Sequence, residues 1–154
     1  MEGKKKITWS HIELLVTAIA DIVNNKDVKY DTIIALGRGG LIPGATLSYK
    51  LDIYNLYNLG ISTREDDGKY LDTIVYQKPT SLNKNSKILV VDDINDSGRT
   101  FTAVNSILQS EYNIDSDNIL YASLVMRDGS EFNKNIIFGN ILYTTSWLQF
   151  PWDK

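Results

Sequence analysis

The segment ILVVDDINDSGRT, residues 88–100, limits the folds open to this chain more than any other stretch. Four consecutive apolar residues, Ile88 to Val91, read as a strand covered on both faces, the pattern of a parallel sheet. Two carboxylates, Asp92 and Asp93, follow at once. Adjacent acids at the end of a buried strand are costly unless hydroxyls, a metal or positive charge compensate them. Asp96, Ser97, Gly98, Arg99 and Thr100 then offer hydroxyls and backbone N–H groups where a helix begins, an arrangement that cradles a phosphate monoester. Acids for a diol and a nest for a phosphate, a few residues apart, describe a ribose 5-phosphate.

The surrounding elements agree with a sheet of that kind. Ser10 and Glu13 form a capping-box pattern ahead of Ile12, Leu15, Val16, Ile19 and Val23, whose spacing predicts an amphipathic helix ending near Asn24 or Asn25. His11, in its first turn, reads as a surface or capping residue. Thr32 to Ile34 predict a strand running into Gly37, Arg38, Gly39 and Gly40, and a helix follows from about Leu41 to Leu51 with Pro43 in its first turn. Asp52–Ile61 predicts a strand, STREDDGKY (62–70) an exposed mobile loop, and DTIVYQ a returning strand. A helix over Thr100–Ser110, a strand over Asn118–Met126 and an extended aromatic tail complete the order. Strands alternating with helices imply βαβ units and an α/β fold around a parallel sheet.

Composition narrows the function. With 154 residues and 43% hydrophobic content, one domain spanning 1–154 is expected. A net charge of −3 gives no electrostatic reason to seek nucleic acid or anionic membrane, and Lys4–Lys6 reads as a solvated tail. The chain has no cysteine and one histidine, which excludes thiolate metal sites, cysteine nucleophiles and histidine-rich metal centres. No stretch is apolar for the ~20 residues of a membrane span, and no signal-peptide segment is evident, so a soluble intracellular protein is expected.

The GRGG turn nearly meets two nucleotide fingerprints. Ile42 stands where G-x-G-x-x-G needs its third glycine, and Ala45 stands where a P-loop needs its lysine. What remains is a turn of exposed backbone donors with one guanidinium beside it, suited to pyrophosphate oxygens or simply to a tight turn. Both this loop and 92–100 follow strands, the position of ligand sites in open α/β sheets.

Residues 88–100 resemble the phosphoribosyl-pyrophosphate (PRPP) motif of the type I phosphoribosyltransferases: an apolar strand, two acids, a third acid, then D-[ST]-G-x-T. ALGRGGLIPGATLSYKLDI resembles the pyrophosphate-loop segment of the bacterial xanthine-guanine phosphoribosyltransferases, and SWLQFPWD resembles their purine-binding segment. The resemblance implies a doubly wound, mainly parallel sheet with a flexible lid loop and a small C-terminal hood over the base. It assigns Asp92 and Asp93 to the ribose hydroxyls, Asp93 also to a magnesium ion, and Asp96 to the purine N7 proton. Ser97, Gly98, Arg99 and Thr100 would hold the 5′-phosphate, and Arg38 and Gly39 the pyrophosphate. Trp147 would stack on the base, backbone near Leu148 would read its 2-position, and Trp152 is left as structural.

Arg127 stands where the family usually has a lysine directed at the 6-oxo group. A planar guanidinium is not interchangeable with an ammonium, so the choice of base stays open. Arg64, Lys69 and Tyr70 are candidate lid contacts. The resemblance implies a magnesium-dependent, cytoplasmic purine-salvage enzyme, acting on guanine, xanthine or hypoxanthine with PRPP and assembled as a homodimer or homotetramer. Two alternatives remain: a regulator on the same fold that senses PRPP or nucleotides, and a transferase for a different base. Intact Asp96 favours an enzyme, and the Trp147 segment favours purines.

Overall fold

The computed structural model describes residues 3–67 and 69–154, with the side chain of Glu65 outside that description. The chain opens with a two-residue strand, β1 (Lys5–Lys6), followed by α1 (Trp9–Asn24), β2 (Thr32–Leu36), α2 (Leu41–Leu51), β3 (Asn55–Asp66) and β4 (Lys69–Gln77). Then come β5 (Ile88–Asn95), α3 (Arg99–Tyr112), a short 3₁₀ turn (Ser116–Asn118), β6 (Ile119–Arg127), β7 (Ile136–Leu142) and β8 (Leu148–Gln149).

Six strands form the central sheet in the order β4-β3-β2-β5-β6-β7, with every pair parallel except the antiparallel edge pair β3–β4. This is the expected α/β fold, wound in both directions from the middle. The chain builds outward through β3 on one side of β2, then through β6 and β7 on the far side of β5. The topological switch therefore lies between β2 and β5, where crevices open at the carboxyl ends of strands.

The apolar run of β5 is explained by its two covered faces. Leu89 and Val91 join Ile33, Leu120, Ala122 and Leu124 beneath Ile12, Val16, Ile19 and Val23 of α1 and Leu47 of α2. Ile88 and Val90 face the other way, joining Ile34, Leu36 and Tyr121 against Phe101, Val104 and Leu108 of α3. Successive strand side chains point to opposite faces, so a strand between two helical layers is apolar throughout.

Four expectations change. The capping box of α1 is formed by Thr8 and His11, not by Ser10 and Glu13: Thr8 Oγ1 accepts from His11 N at 3.3 Å and His11 Nδ1 accepts from Thr8 N at 3.2 Å. The reason is tertiary. Ile7 N donates to Gln149 O, which holds the chain extended up to Thr8 and lets the helix begin there, while Glu13 pairs instead with Lys50 of α2 at 2.8 Å. Lys5 and Lys6 accordingly form a strand parallel to β8 rather than a free tail.

Residues 62–66 and 69–70 are strand and not loop. Ser62 to Asp66 extend β3 and Lys69–Tyr70 begin β4; Gly68, which the loop reading included, lies outside the described residues. Arg64 sits opposite Asp72 and donates to it twice, at 2.6 and 2.5 Å, so charges that suggested a solvated loop close a hairpin. Finally, β5 continues through both aspartates to Asn95, because Asp92, Ile94 and Asn95 remain in register with Ser123, Val125 and Met126.

Candidate active site

The switch between β2 and β5 brings the GRGG turn against the acidic pair. Gly37, at φ 53°, turns the chain, and a Cβ on Gly40 would meet Val91 O at 2.4 Å and Leu36 O at 2.8 Å. Gly39 is packed onto the Asp93 carboxylate. Arg38 beside them is exposed and makes no ion pair among the described residues.

Asp92 and Asp93 are partly covered, and their carboxylates hydrogen-bond locally. Asp93 N donates to Asp92 Oδ1 at 2.9 Å and Ile94 N to Asp93 Oδ1 at 2.7 Å. Burial first, and then the negative charge of Asp93, pushes the Asp92 carboxyl well above the ordinary aspartate range. Burial raises Asp93 too, with Asp153 adding further negative charge. Two adjacent hard-oxygen donors suit a divalent cation. No cluster of three or more metal-ligating side chains occurs among the described residues, so such a cation would complete its shell with substrate oxygens and water.

One turn further, Gly98 adopts φ 92° as the N-cap of α3, and its carbonyl accepts from Thr102 N and Oγ1 at 3.0 and 2.9 Å. Ser97 Oγ accepts from Arg99 N at 3.4 Å. The nest is braced from behind by a segment with no local sequence signal. Buried Asn95 donates to Phe132 O at 3.1 Å and accepts from Ser130 Oγ at 2.9 Å, while Glu131 N donates to Ser97 O at 3.1 Å. The β3–β4 hairpin arrives from the opposite side. Thr63 Oγ1 lies 3.0 Å from Thr100 Oγ1, and the Arg99 guanidinium sits 5.6 Å above the Tyr70 ring. Of the three candidate lid contacts, Tyr70 reaches Arg99 of the 97–100 turn, Arg64 is engaged with Asp72, and Lys69 is exposed. Thr63 was not singled out from sequence; its contact joins residues 37 positions apart.

Arg127 ends β6, and the pairing of Asn95 with Met126 sets it next to Asp96. Its Nε donates to Asp96 Oδ1, one terminal nitrogen to Thr144 O and the other to Ser146 O at 3.4 Å. Beyond it stands a small hood made from both ends of the chain: β1 lies parallel to β8, with Lys5 N donating to Trp147 O at 2.8 Å. Trp147 is 66% exposed, whereas Leu148 is buried. An open cleft of about 430 Å³, lined by Lys4, Trp147, Gln149, Asp153 and Lys154, adjoins the indole. Trp152 is half-buried, stacked on Phe150 with centroids 5.1 Å apart and tilted against Trp9.

Comparison with known proteins points the same way. The chain is 26% identical over 149 residues to the xanthine-guanine phosphoribosyltransferase of Gluconobacter oxydans, covering 96% of this chain and 83% of that one. The purine phosphoribosyltransferase from Pyrococcus horikoshii superposes with a TM-score of 0.81 at 25% identity, covering 98% of this chain and 95% of that one. A protein from Neisseria gonorrhoeae solved with bound ppGpp superposes with a TM-score of 0.79, also at 25% identity, covering 100% of this chain and 91% of its own. The family profile of the phosphoribosyl transferase domain matches residues 8–136, a span that runs from the cap of α1 through the glycine turn, the acidic pair and the phosphate nest into β7. By that match, the chain belongs to the phosphoribosyltransferase family.

Proposed function

We propose that the protein transfers the 5-phosphoribosyl group of PRPP to a 6-oxopurine, guanine, xanthine or hypoxanthine, releasing the nucleoside monophosphate and pyrophosphate. The observation that carries this is the meeting at one switch point of the GRGG turn, the Asp92–Asp93 pair and the 97–100 nest, with Asp96 and Arg127 facing the hood. The xanthine-guanine relatives support the choice of base.

In this reading the purine N9 attacks C1′ as the C1′–O bond breaks, and its electron pair leaves with pyrophosphate. Asp96 accepts the N7 proton, a role worth typically ~10²–10⁴-fold in general acid–base catalysis. Arg38 and the backbone donors around Gly39 receive the negative charge that develops on pyrophosphate. Asp92 and Asp93 hold the ribose hydroxyls, and Ser97 to Thr100 hold the 5′-phosphate. A magnesium ion held at Asp93 would take up part of the pyrophosphate charge. The hairpin carrying Thr63 and Tyr70 shields the ribosyl centre from water. Trp147 stacks on the base, with backbone near Leu148 at its 2-position. A cytoplasmic, oligomeric enzyme of one domain fits the same reading, and no helix among the described residues is long and apolar enough to cross a membrane.

A second reading, a nucleotide-sensing regulator on this fold, draws on the gonococcal protein with bound ppGpp. Pyrophosphate release from PRPP and magnesium, with guanine, xanthine, hypoxanthine, adenine, uracil and orotate offered singly, separates the two. Turnover with a 6-oxopurine that collapses in Asp96→Asn is expected. Nucleotide binding without turnover on any base would move the protein to the regulator class, and turnover only with another base would reassign the substrate.

A further inference from the structure

The guanidinium of Arg127 touches two parts of the site that belong to different segments. Asp96 lies just past β5, at the start of the phosphate nest; Thr144 and Ser146 lie between β7 and β8, in the stretch 143–147 that has neither helix nor strand and carries Trp147. We infer that Arg127 is a positioning residue that latches Asp96 to the hood, holding the carboxylate and the two carbonyls before Trp147 with one planar group. This rests on the transferase reading for its kinetic consequences, although the latch itself is a property of the ligand-free chain.

The argument is geometric. An arginine presents five N–H donors in a fixed fork, and three directions of that fork are used here, by one carboxylate oxygen and the carbonyls of Thr144 and Ser146. A lysine ammonium places its three donors on one atom and lacks the three separated nitrogens that reach these partners. The Arg127 side chain is only 21% exposed against 57% for Asp96, so the latch is anchored from the β6 side and holds the more exposed partner. The base-facing carboxylate and the hood are therefore ordered together. A base that settles under Trp147 meets Asp96 already oriented, and losing the latch frees both at once.

A merely structural ion pair of this exposure stabilises weakly and leaves the kinetic constants alone. The latch makes different demands, tested on the full chain with Arg127→Lys, Arg127→Met, Asp96→Ala and the double variant Arg127→Met/Asp96→Ala. Arg127→Lys should raise KM for the base by roughly 10-fold or more while KM for PRPP stays within about twofold. In the double variant the loss in kcat/KM should be smaller than the product of the two single losses, because the Arg127–Asp96 bond is shared between them. Losses that multiply, or a normal base KM in Arg127→Lys, would overturn the latch. Amide hydrogen exchange over 143–147 without substrate gives a readout independent of turnover. It should accelerate roughly 10-fold or more in Arg127→Met, which removes both carbonyl bonds, and less in Asp96→Ala, which leaves them in place; unchanged exchange in Arg127→Met would sink the proposal. If the wild-type chain turns over no base, the transferase reading fails while exchange still decides the latch.

Discussion

The Asp93 carboxylate occupies the space that a side chain at position 39 would need: a Cβ on Gly39 would lie 2.2 Å from Asp93 Oδ2 and 2.6 Å from Cγ. The glycine turn and the acidic pair are thus one packed unit, although 54 positions separate them in the chain (93 − 39).

Gly39→Ala and Gly40→Ala should therefore fail differently. At 39 the obstacle is the end of a side chain, which can rotate away, so the fold survives with a stability loss of about 1 kcal/mol or less while kcat falls by roughly 10²-fold as Asp93 is displaced. At 40 the obstacles are backbone atoms of Val91 and Leu36, and unfolding in urea should show a loss of about 2–4 kcal/mol. Equal destabilisation in the two variants would contradict this packing.

The acidic pair should cost the ligand-free protein stability at neutral pH. Both carboxyls are raised above the ordinary aspartate value of 3.8, mainly by burial. Between that value and the raised ones the folded chain binds protons that the unfolded chain has released, so stability falls as pH rises through this window. Below 3.8 both states are protonated and the pair's contribution no longer changes with pH. Asp92→Asn removes the charge and should raise the neutral-pH Tm of the ligand-free chain by about 2–4 °C, the shift of roughly 1 kcal/mol at this size, while abolishing transfer. Thermal unfolding from pH 4 to 8 checks both sign and size.

The brace behind the phosphate nest should be worth more than its distance from the chemistry suggests. Asn95→Ala leaves Phe132 O and Ser130 Oγ without their partner in a buried setting, a loss of about 2–3 kcal/mol. Because the same segment holds Ser97 through Glu131 N, KM for PRPP should rise roughly 10-fold with KM for the base little changed. Urea titration and initial rates measure the two effects separately.

Trp147 should behave as a binding surface and not as core. With the indole 66% exposed in the ligand-free chain, Trp147→Ala should change stability by no more than about 0.5 kcal/mol. Loss of stacking, worth about 1–3 kcal/mol per base, should raise the base KM by roughly 5–150-fold. Trp152→Ala is the contrast, since its ring packs on Phe150 and Trp9 and its loss should lower Tm.

Much of the fold was readable because its signals are local. The spacing of Ile12, Val16, Ile19 and Val23 marks the buried stripe of α1, and the helix expected over Leu41–Leu51 forms with those bounds. The apolar run 88–91, the acidic pair and the Ser97–Thr100 nest follow one another directly in the chain, so their common site at a strand end needs no distant partner to be seen. Period and turn chemistry are fixed by neighbouring residues, and so survive without tertiary context.

What the folded chain decided were contacts between segments far apart in sequence. Thr8 caps α1 because Gln149 holds Ile7, β5 runs past its aspartates because β6 stays in register with it, and the charged stretch 62–66 is a strand because Asp72 faces Arg64. Arg127 reaches Asp96 through the same β5–β6 register, across 31 positions, and the hood joins the two ends of the chain. A side chain's own neighbours in sequence say which element it belongs to; which acid it meets depends on strand order and register, and these are set by burying both faces of the sheet.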